Sequence, residues 1–463
     1  MVQSADKVER FRIVVPQSQA DLDLLRKSAE LSARLERLPN SRFNIMILAV
    51  GMIAFLVEGM DTSVVAAIIG PLKMALKLTP TETGTLSVAA VLTTVFGALI
   101  VGPLADLTGR KKMLIAGVLI AEVCTILTYF ANSFTTFVLF RLLTGLGLGF
   151  IFPITLTYLA EFVGSKNRAY YTGICNSILG LGYFLTLLIG YVIVPFYGYH
   201  ALFLVPGILL LFVPYLILVA PESPRWLVAH GHTAEADKVI SNIEAKVARW
   251  TKKPLPAMRE VRIAFDEIGK PGRIFSKEYL RTTIALWIMF SVTFMMFYTR
   301  LLYMPMILNL HRINLKHSLL YAAIMNAAAI PGNLLAGALM HYIGRRWAVA
   351  VYGIFTGIFV LAFSFAAAPW LLILLGSGIF WFDTFSAQKM LINESYPTGA
   401  RGTGASAAEF VARFLGGVVW AGSVPILLSI LGVHSLFILM GVAILFLVPV
   451  AGLSVKETRA AIL

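Results

Sequence analysis

Charge is scarce in this chain: 13% of its 463 residues are Asp, Glu, Lys or Arg, against 58% hydrophobic. Soluble domains hold about a quarter charged residues and less than half apolar ones, so a cytosolic enzyme of ordinary build is excluded. Histidine is also scarce, with seven residues against 31 Phe, and no Ser/His/Asp or metal-ligand spacing stands out. No enzyme activity, cofactor or metal is therefore expected. The only two cysteines, Cys124 and Cys175, both lie in apolar runs, which argues against a disulfide framework. No phosphate-binding loop or Walker motif occurs, so ATP-driven work has no support. Residues 1–42 are polar and lack the apolar core of a signal peptide.

What is abundant is long apolar sequence, and the mean hydropathy is +0.82. A bilayer-spanning helix needs about 20 apolar residues. Twelve such runs are expected near 43–70, 83–106, 113–131, 135–162, 170–194, 200–220, 282–308, 318–340, 347–367, 370–394, 404–430 and 433–453. The sequence thus predicts an all-α membrane protein of two six-helix bundles, 43–227 and 282–453. A tail precedes them (1–42), a polar linker with short helices joins them (228–281), and a second tail follows (454–463). The net charge of +14 is no sign of nucleic-acid binding, because Lys and Arg gather in alternate loops. By the positive-inside rule both termini and the linker are expected to be cytoplasmic, and a monomer is expected.

The halves repeat one another. Gly102-Pro-Leu-Ala-Asp106-Leu-Thr-Gly109-Arg110 recurs as Gly337-Ala-Leu-Met-His341-Tyr-Ile-Gly344-Arg345, and Glu161 with Arg168 recurs as Glu394 with Arg401. A duplicated unit with a site between its copies is a common build for secondary transporters. These residues are candidates for a conformational latch. Asp106 can bond a neighbouring helix or Arg110, and each glutamate can pair with the arginine seven residues on or with a glycine-loop cation. Topology and solvation alone would also account for such charges.

On these motifs the chain resembles the major facilitator superfamily over nearly its whole length. The glycine loop at Gly102–Lys112 is similar to that superfamily's best-known signature, and Arg141–Gly149 resembles its fourth-helix motif. Pro221-Glu-Ser-Pro-Arg-Trp-Leu227 resembles a stretch shared by sugar porters and organic-ion transporters. Glu394-Ser-Tyr-Pro-Thr-Gly-Ala-Arg401-Gly-Thr-Gly404 resembles the metabolite:proton symporter and niacin-transporter branch. Departures are His341, where an acid usually stands, and the absence of the paired glutamines that sugar porters carry in span seven. The resemblance implies alternating access by two rocking bundles.

Ionisable groups at membrane depth cost at least about 2.5 kcal/mol on insertion scales, so each is expected to have a partner or a task. Glu58 and Asp61 share a face of span one, and Asp61 matches Arg141 of span four in depth. The pair serves proton coupling or a permanent structural bond, with Glu58 and Glu122 as further acids. The resemblance favours coupling, since aromatic-acid symporters place a proton-accepting Asp here. In span eleven, Glu409 and Arg413 lie one turn apart: either they neutralise each other, or Arg413 grips a substrate carboxylate with its planar fork. Asp383 falls near the same depth. Arg300, placed nearer the outer face, attracts anions or snorkels to water. Tyr298, Tyr303, Trp381, Phe382 and Trp420 are candidate ring-stacking partners, although lipid-facing or packed positions are as natural for each. Asn176 and Asn326 either orient a polar substrate or bridge helices. The expected function is proton-coupled uptake of a small aromatic or heteroaromatic carboxylate. The alternatives are a sugar or polyol symporter and a proton-driven exporter of organic cations.

Overall fold

The computed structural model describes residues 19–252, 254–258, 274–396 and 400–456. The side chains of Arg168, His341 and Arg401 lie outside the described residues, as does most of the tail 454–463. All twelve expected spans are helical. The first half comprises α2 (Arg42–Ala75), α3 (Pro80–Thr108), α4 (Arg110–Thr128), α5 (Phe134–Phe162) and α6 (Ser165–Tyr197). Its sixth span is stitched from short 3-10 turns with α7 (Leu204–Gly207) and α8 (Phe212–Val219). The second half comprises α11 (Leu280–Leu310), α12 (Leu315–Ala327), α13 (Ala329–Ile343), α14 (Arg345–Ser364), α15 (Pro369–Trp381), α16 (Phe385–Ser395), α17 (Arg401–Ala412) and α18 (Ala421–Ser454).

Apolar sequence drives these helices and local chemistry sets their ends. Thr79 caps α3 in a capping box with Glu82, and Ser133 and Asn314 cap α5 and α12. Gly109 and Gly344, the equivalent glycines of the repeat, both turn the chain with positive φ, at 109° and 91°. No side chain tolerates that corner well, so the repeat preserves glycine there. Bare backbone at Gly145, Gly147 and Gly149 lets α5 approach α3 and α4; a Cβ on Gly147 would stand 2.5 Å from the Ala121 nitrogen.

Spans eight, ten and eleven depart from continuous helices. Span eight breaks at Ala328, between α12 and α13, and span ten breaks over Phe382–Thr384. Span eleven carries a π-helical segment, Arg413–Trp420, between α17 and α18. Spans eleven and twelve are two helices that meet within α18's range, at a corner made by Gly432, at φ 73° and ψ 173°.

Outside the bilayer, the segments expected as a tail and a linker of short helices hold longer ones. Helix α1 (Gln19–Glu36) packs on α9 (Pro224–Ala229) and α10 (Thr233–Thr251). Arg34 bonds both Glu244 (2.6 Å) and Asp237 (2.9 Å), Arg37 bonds Glu244 (2.6 Å), and Lys27 bonds Asp237 (2.9 Å).

The halves meet along α2–α11, α6–α12 and α3–α18. At the end opposite the glycine loops the contact is tight. A Cβ on Gly84 would overlap the Gly422 carbonyl at 2.0 Å, and the Tyr303 hydroxyl donates to the Ala421 carbonyl (2.8 Å). At the glycine-loop end, no ion pair joins the halves among the described residues.

Candidate functional site

Between the halves lies a cavity of about 820 Å³. It runs from Val65 and Ser87 near mid-depth to Thr172 and Asn393 toward the glycine-loop end. That size is in the range of small-molecule sites. Phe294, Phe297 and Tyr298 of α11, Phe380 of α15, Phe385 of α16 and Phe152 of α5 give it an aromatic wall.

Asp61 stands on the first-half side, fully buried. Its Oδ1 accepts from the Thr125 hydroxyl (2.6 Å), which in turn accepts from Arg141 (2.8 Å). The direct Arg141–Asp61 separation is 3.8 Å, so the threonine carries the close contact. Arg141 also donates to Thr128 and Thr144 and stacks on Phe203. The Glu122 carboxyl lies against Asp61, and neither of its oxygens has a donor among the described residues. Two acids and one guanidinium thus share a buried pocket, and Asp61 also lines the cavity.

The second-half side holds two further groups of charge. Arg300 is 4% exposed rather than snorkelling, because Asp383 pairs with it, the Ile379 carbonyl accepts from it, and it lies over the Phe380 ring at 4.4 Å. The break in span ten makes this possible: leaving the helix at Phe382 turns Asp383 toward α11, where its other oxygen accepts from the Phe385 N–H (3.0 Å). Thr293, Thr384 and Gln388 form a polar knot beside it.

Arg413 opens the π segment and bonds Glu409 (2.9 Å); Lys389 bonds the other oxygen of the same glutamate (3.5 Å). Arg413 lies over Phe152 and Phe294, and Lys389 over Phe385 and Phe152. Both cations line the cavity, and so does Glu58, whose Oε2 is buried without a donor among the described residues. A π segment at such a place is a frequent mark of function.

Several candidates sit elsewhere. Trp381 and Phe382 are not cavity-lining: Phe382 stacks on Phe355 (4.8 Å) and Phe359 (5.6 Å) of α14, and Phe380 and Phe385 take the lining role. The broken helix shifts the facing by about two residues. Tyr303 fastens α11 to α18, and the Trp420 indole donates to Thr299 (3.0 Å), so both hold helices together. Asn176 and Asn326 line the cavity, each with its amide donating one turn back along its helix. Lys389, Tyr183 and the phenylalanines of α11 line it without having been singled out. Lys389 was legible as a lysine in an apolar run six residues after Asp383.

The glycine loops are built alike. Arg110 pairs with Asp106 (2.8 Å) and Glu161 (3.4 Å), and Arg345 with Glu394 (3.0 Å), so the loop cation takes each glutamate. Glu222 accepts from the N–H groups of Arg110 and Lys111 and caps α4, while Trp226 donates to the Asp106 carbonyl.

Two duplicated bundles enclosing a charged, aromatic-lined cavity define a two-bundle solute transporter. The chain belongs to the Major Facilitator Superfamily, whose sequence profile matches residues 51–421. It is similar to the niacin transporter NiaP of Acinetobacter baylyi, at 26% identity, covering 93% of this chain and 98% of that protein. It is also similar to the 4-hydroxybenzoate transporter PcaK of the same organism, at 28% identity, covering 86% and 88%. In fold it resembles the xylose transporter XylE from E. coli, with a TM-score of 0.71 at 16% identity, covering 90% of this chain and 99% of that one.

Proposed function

We propose that this protein takes up a small aromatic or heteroaromatic carboxylate together with protons, by rocking of the bundles 43–227 and 282–453. The observation that carries the proposal is the pair of cavity-lining cations, Arg413 and Lys389, set in an aromatic wall. A guanidinium fork suits a carboxylate, and the rings suit a flat substrate. The names of the similar niacin and 4-hydroxybenzoate transporters support that class.

Asp61, with Glu58 one turn away, takes the proton. Asp61 and Glu122 share the single cation Arg141, so a proton is the natural means of balancing that pocket as the helices shift. In this reading the protein is an inner-membrane monomer with both termini and the glycine loops in the cytoplasm, an orientation that the loop charges favour. The cavity then faces inward, with Gly84 against Gly422 closing the outer side. Asp106, 69% exposed and bonded within its own half, is the latch in its released state.

Thermal stabilisation of the purified protein by nicotinate, benzoate, sugars and organic cations tests the substrate class, because a ligand of the folded state raises apparent stability with occupancy. A shift with the aromatic acids that disappears in Arg413→Ala supports it. A shift with sugars alone, held by Asn176 and Asn326, overturns it. Full gradient-driven accumulation in Asp61→Asn would sink the proton role.

A further inference from the structure

The unpartnered Glu58 carboxylate and the doubly claimed Glu409 together raise a question of charge balance. Lys389 and Arg413 bring two positive charges and Glu409 one negative, which leaves the cluster one positive charge in excess. Among the described residues, the other carboxylate electrostatically engaged with these cations is Glu58, which lines the same cavity from the other half of the molecule. Glu58 is 5% exposed, lines the cavity, and has an oxygen with no donor among the described residues. The cations are reachable from the cavity: the side chains of Lys389 and Arg413 are 31% and 17% exposed.

We propose that Lys389 and Arg413 form a single site for one anion, and that Glu58 and the substrate carboxylate are its alternative occupants. In the empty carrier ionised Glu58 balances the excess charge. When the substrate carboxylate arrives, Glu58 gives up the cations and takes a proton from solution. The site charge is then the same before and after, one anion and one proton having entered together. Lys389 is thereby a second substrate-binding residue, and Glu409 positions both cations without touching the substrate.

The other groups facing Glu58 do not alter this balance. Tyr183 of α6 and Tyr298 of α11 are neutral phenols, Arg300 is paired with Asp383, and Asp61 on the same helix has Arg141 with Glu122. Glu58 belongs to one half and the cations to the other, so its charge acts across the cavity between the bundles.

The inference rests on the carboxylate reading, and the experiment separates the two. Binding of benzoate to the purified protein is measured by calorimetry between pH 6 and 8.5, where benzoate stays ionised. The wild-type affinity should fall by up to about tenfold per pH unit once Glu58 ionises, with one proton taken up per anion bound. Glu58→Gln should bind benzoate with little pH dependence and, at the high end, more tightly than wild type. Lys389→Met should lose at least about tenfold in affinity, and Lys389→Arg should recover most of it. If wild type binds benzoate and Glu58→Gln retains the wild-type slope, the inference is overturned and the carboxylate reading stands. If wild type binds neither benzoate nor nicotinate, both fall. A melting scan of each variant confirms that it is folded.

Discussion

At the scale of single residues the buried pockets work by sharing donors. Thr125 is the clearest case, since one hydroxyl donates to Asp61 and accepts from Arg141. Valine matches threonine in shape but has no hydroxyl, so Thr125→Val removes the close contact on both sides. The expected cost is about 1–3 kcal/mol for the group left unsatisfied, read as a lower melting temperature of the purified protein. A melt equal to wild type would show that water or a rearranged Arg141 replaces the hydroxyl. Single residues are also where sequence reasoning reached its limit. Counting along a span gives depth, and on depth Asp61 with Arg141 and Glu409 with Arg413 were legible. It gives no direction around the helix across a break, so Arg300 was placed toward water and Phe382 toward the cavity. The structure has Arg300 bonded to Asp383 and Phe382 packed on α14.

Among elements, the repeat is legible because it lies in residue types that cannot be exchanged. The glycines at 109 and 344 occupy positive φ, and the loop arginines at 110 and 345 hold Glu161 and Glu394. The helix breaks at Ala328 and at Phe382–Thr384 were not foreseen, because no motif marks them: Pro331 stands three residues past the first, and the second contains no Gly or Pro. In the first half, Glu222 caps α4. Glu222→Ala strips the carboxylate from two backbone N–H groups at a helix N-terminus, which costs about 1–2 kcal/mol. The expected result is a lower melting temperature with faster amide exchange confined to the first turn of α4. Unchanged exchange there would mean that water caps the helix equally well.

Over the whole molecule, α1 and α10 form a helical layer beneath the first half, and the sequence identified only α10's periodicity. The layer is held by charge, so it responds to acid. Burial pushes the Glu244 carboxyl up, but its bonds from Arg34 and Arg37 outweigh this and hold it below the usual carboxylate range. A depressed carboxyl stabilises the layer at all pH values above its unfolded value of about 4.3, and that stability is lost as pH falls through the lower folded value. Protection of α1 from proteolysis should therefore hold from neutral pH down to about 4.3 and be lost as pH falls further, through the lower folded value. Glu244→Gln should weaken that protection at neutral pH. Protection that survives strong acid would assign the layer to its buried leucines instead, Leu31 and Leu35 among them.

The interruptions in the spans are unevenly shared. Spans one to five run unbroken, whereas spans eight, ten and eleven are each interrupted, and all three line the cavity from the second half. A solute therefore sits between one stiff wall and one jointed wall. The jointed wall is assembled from short helical pieces, each setting the facing of only a few lining side chains. For the proposed carrier this predicts that a substitution in one joint changes which solutes bind the purified protein without altering how the two bundles pack on each other.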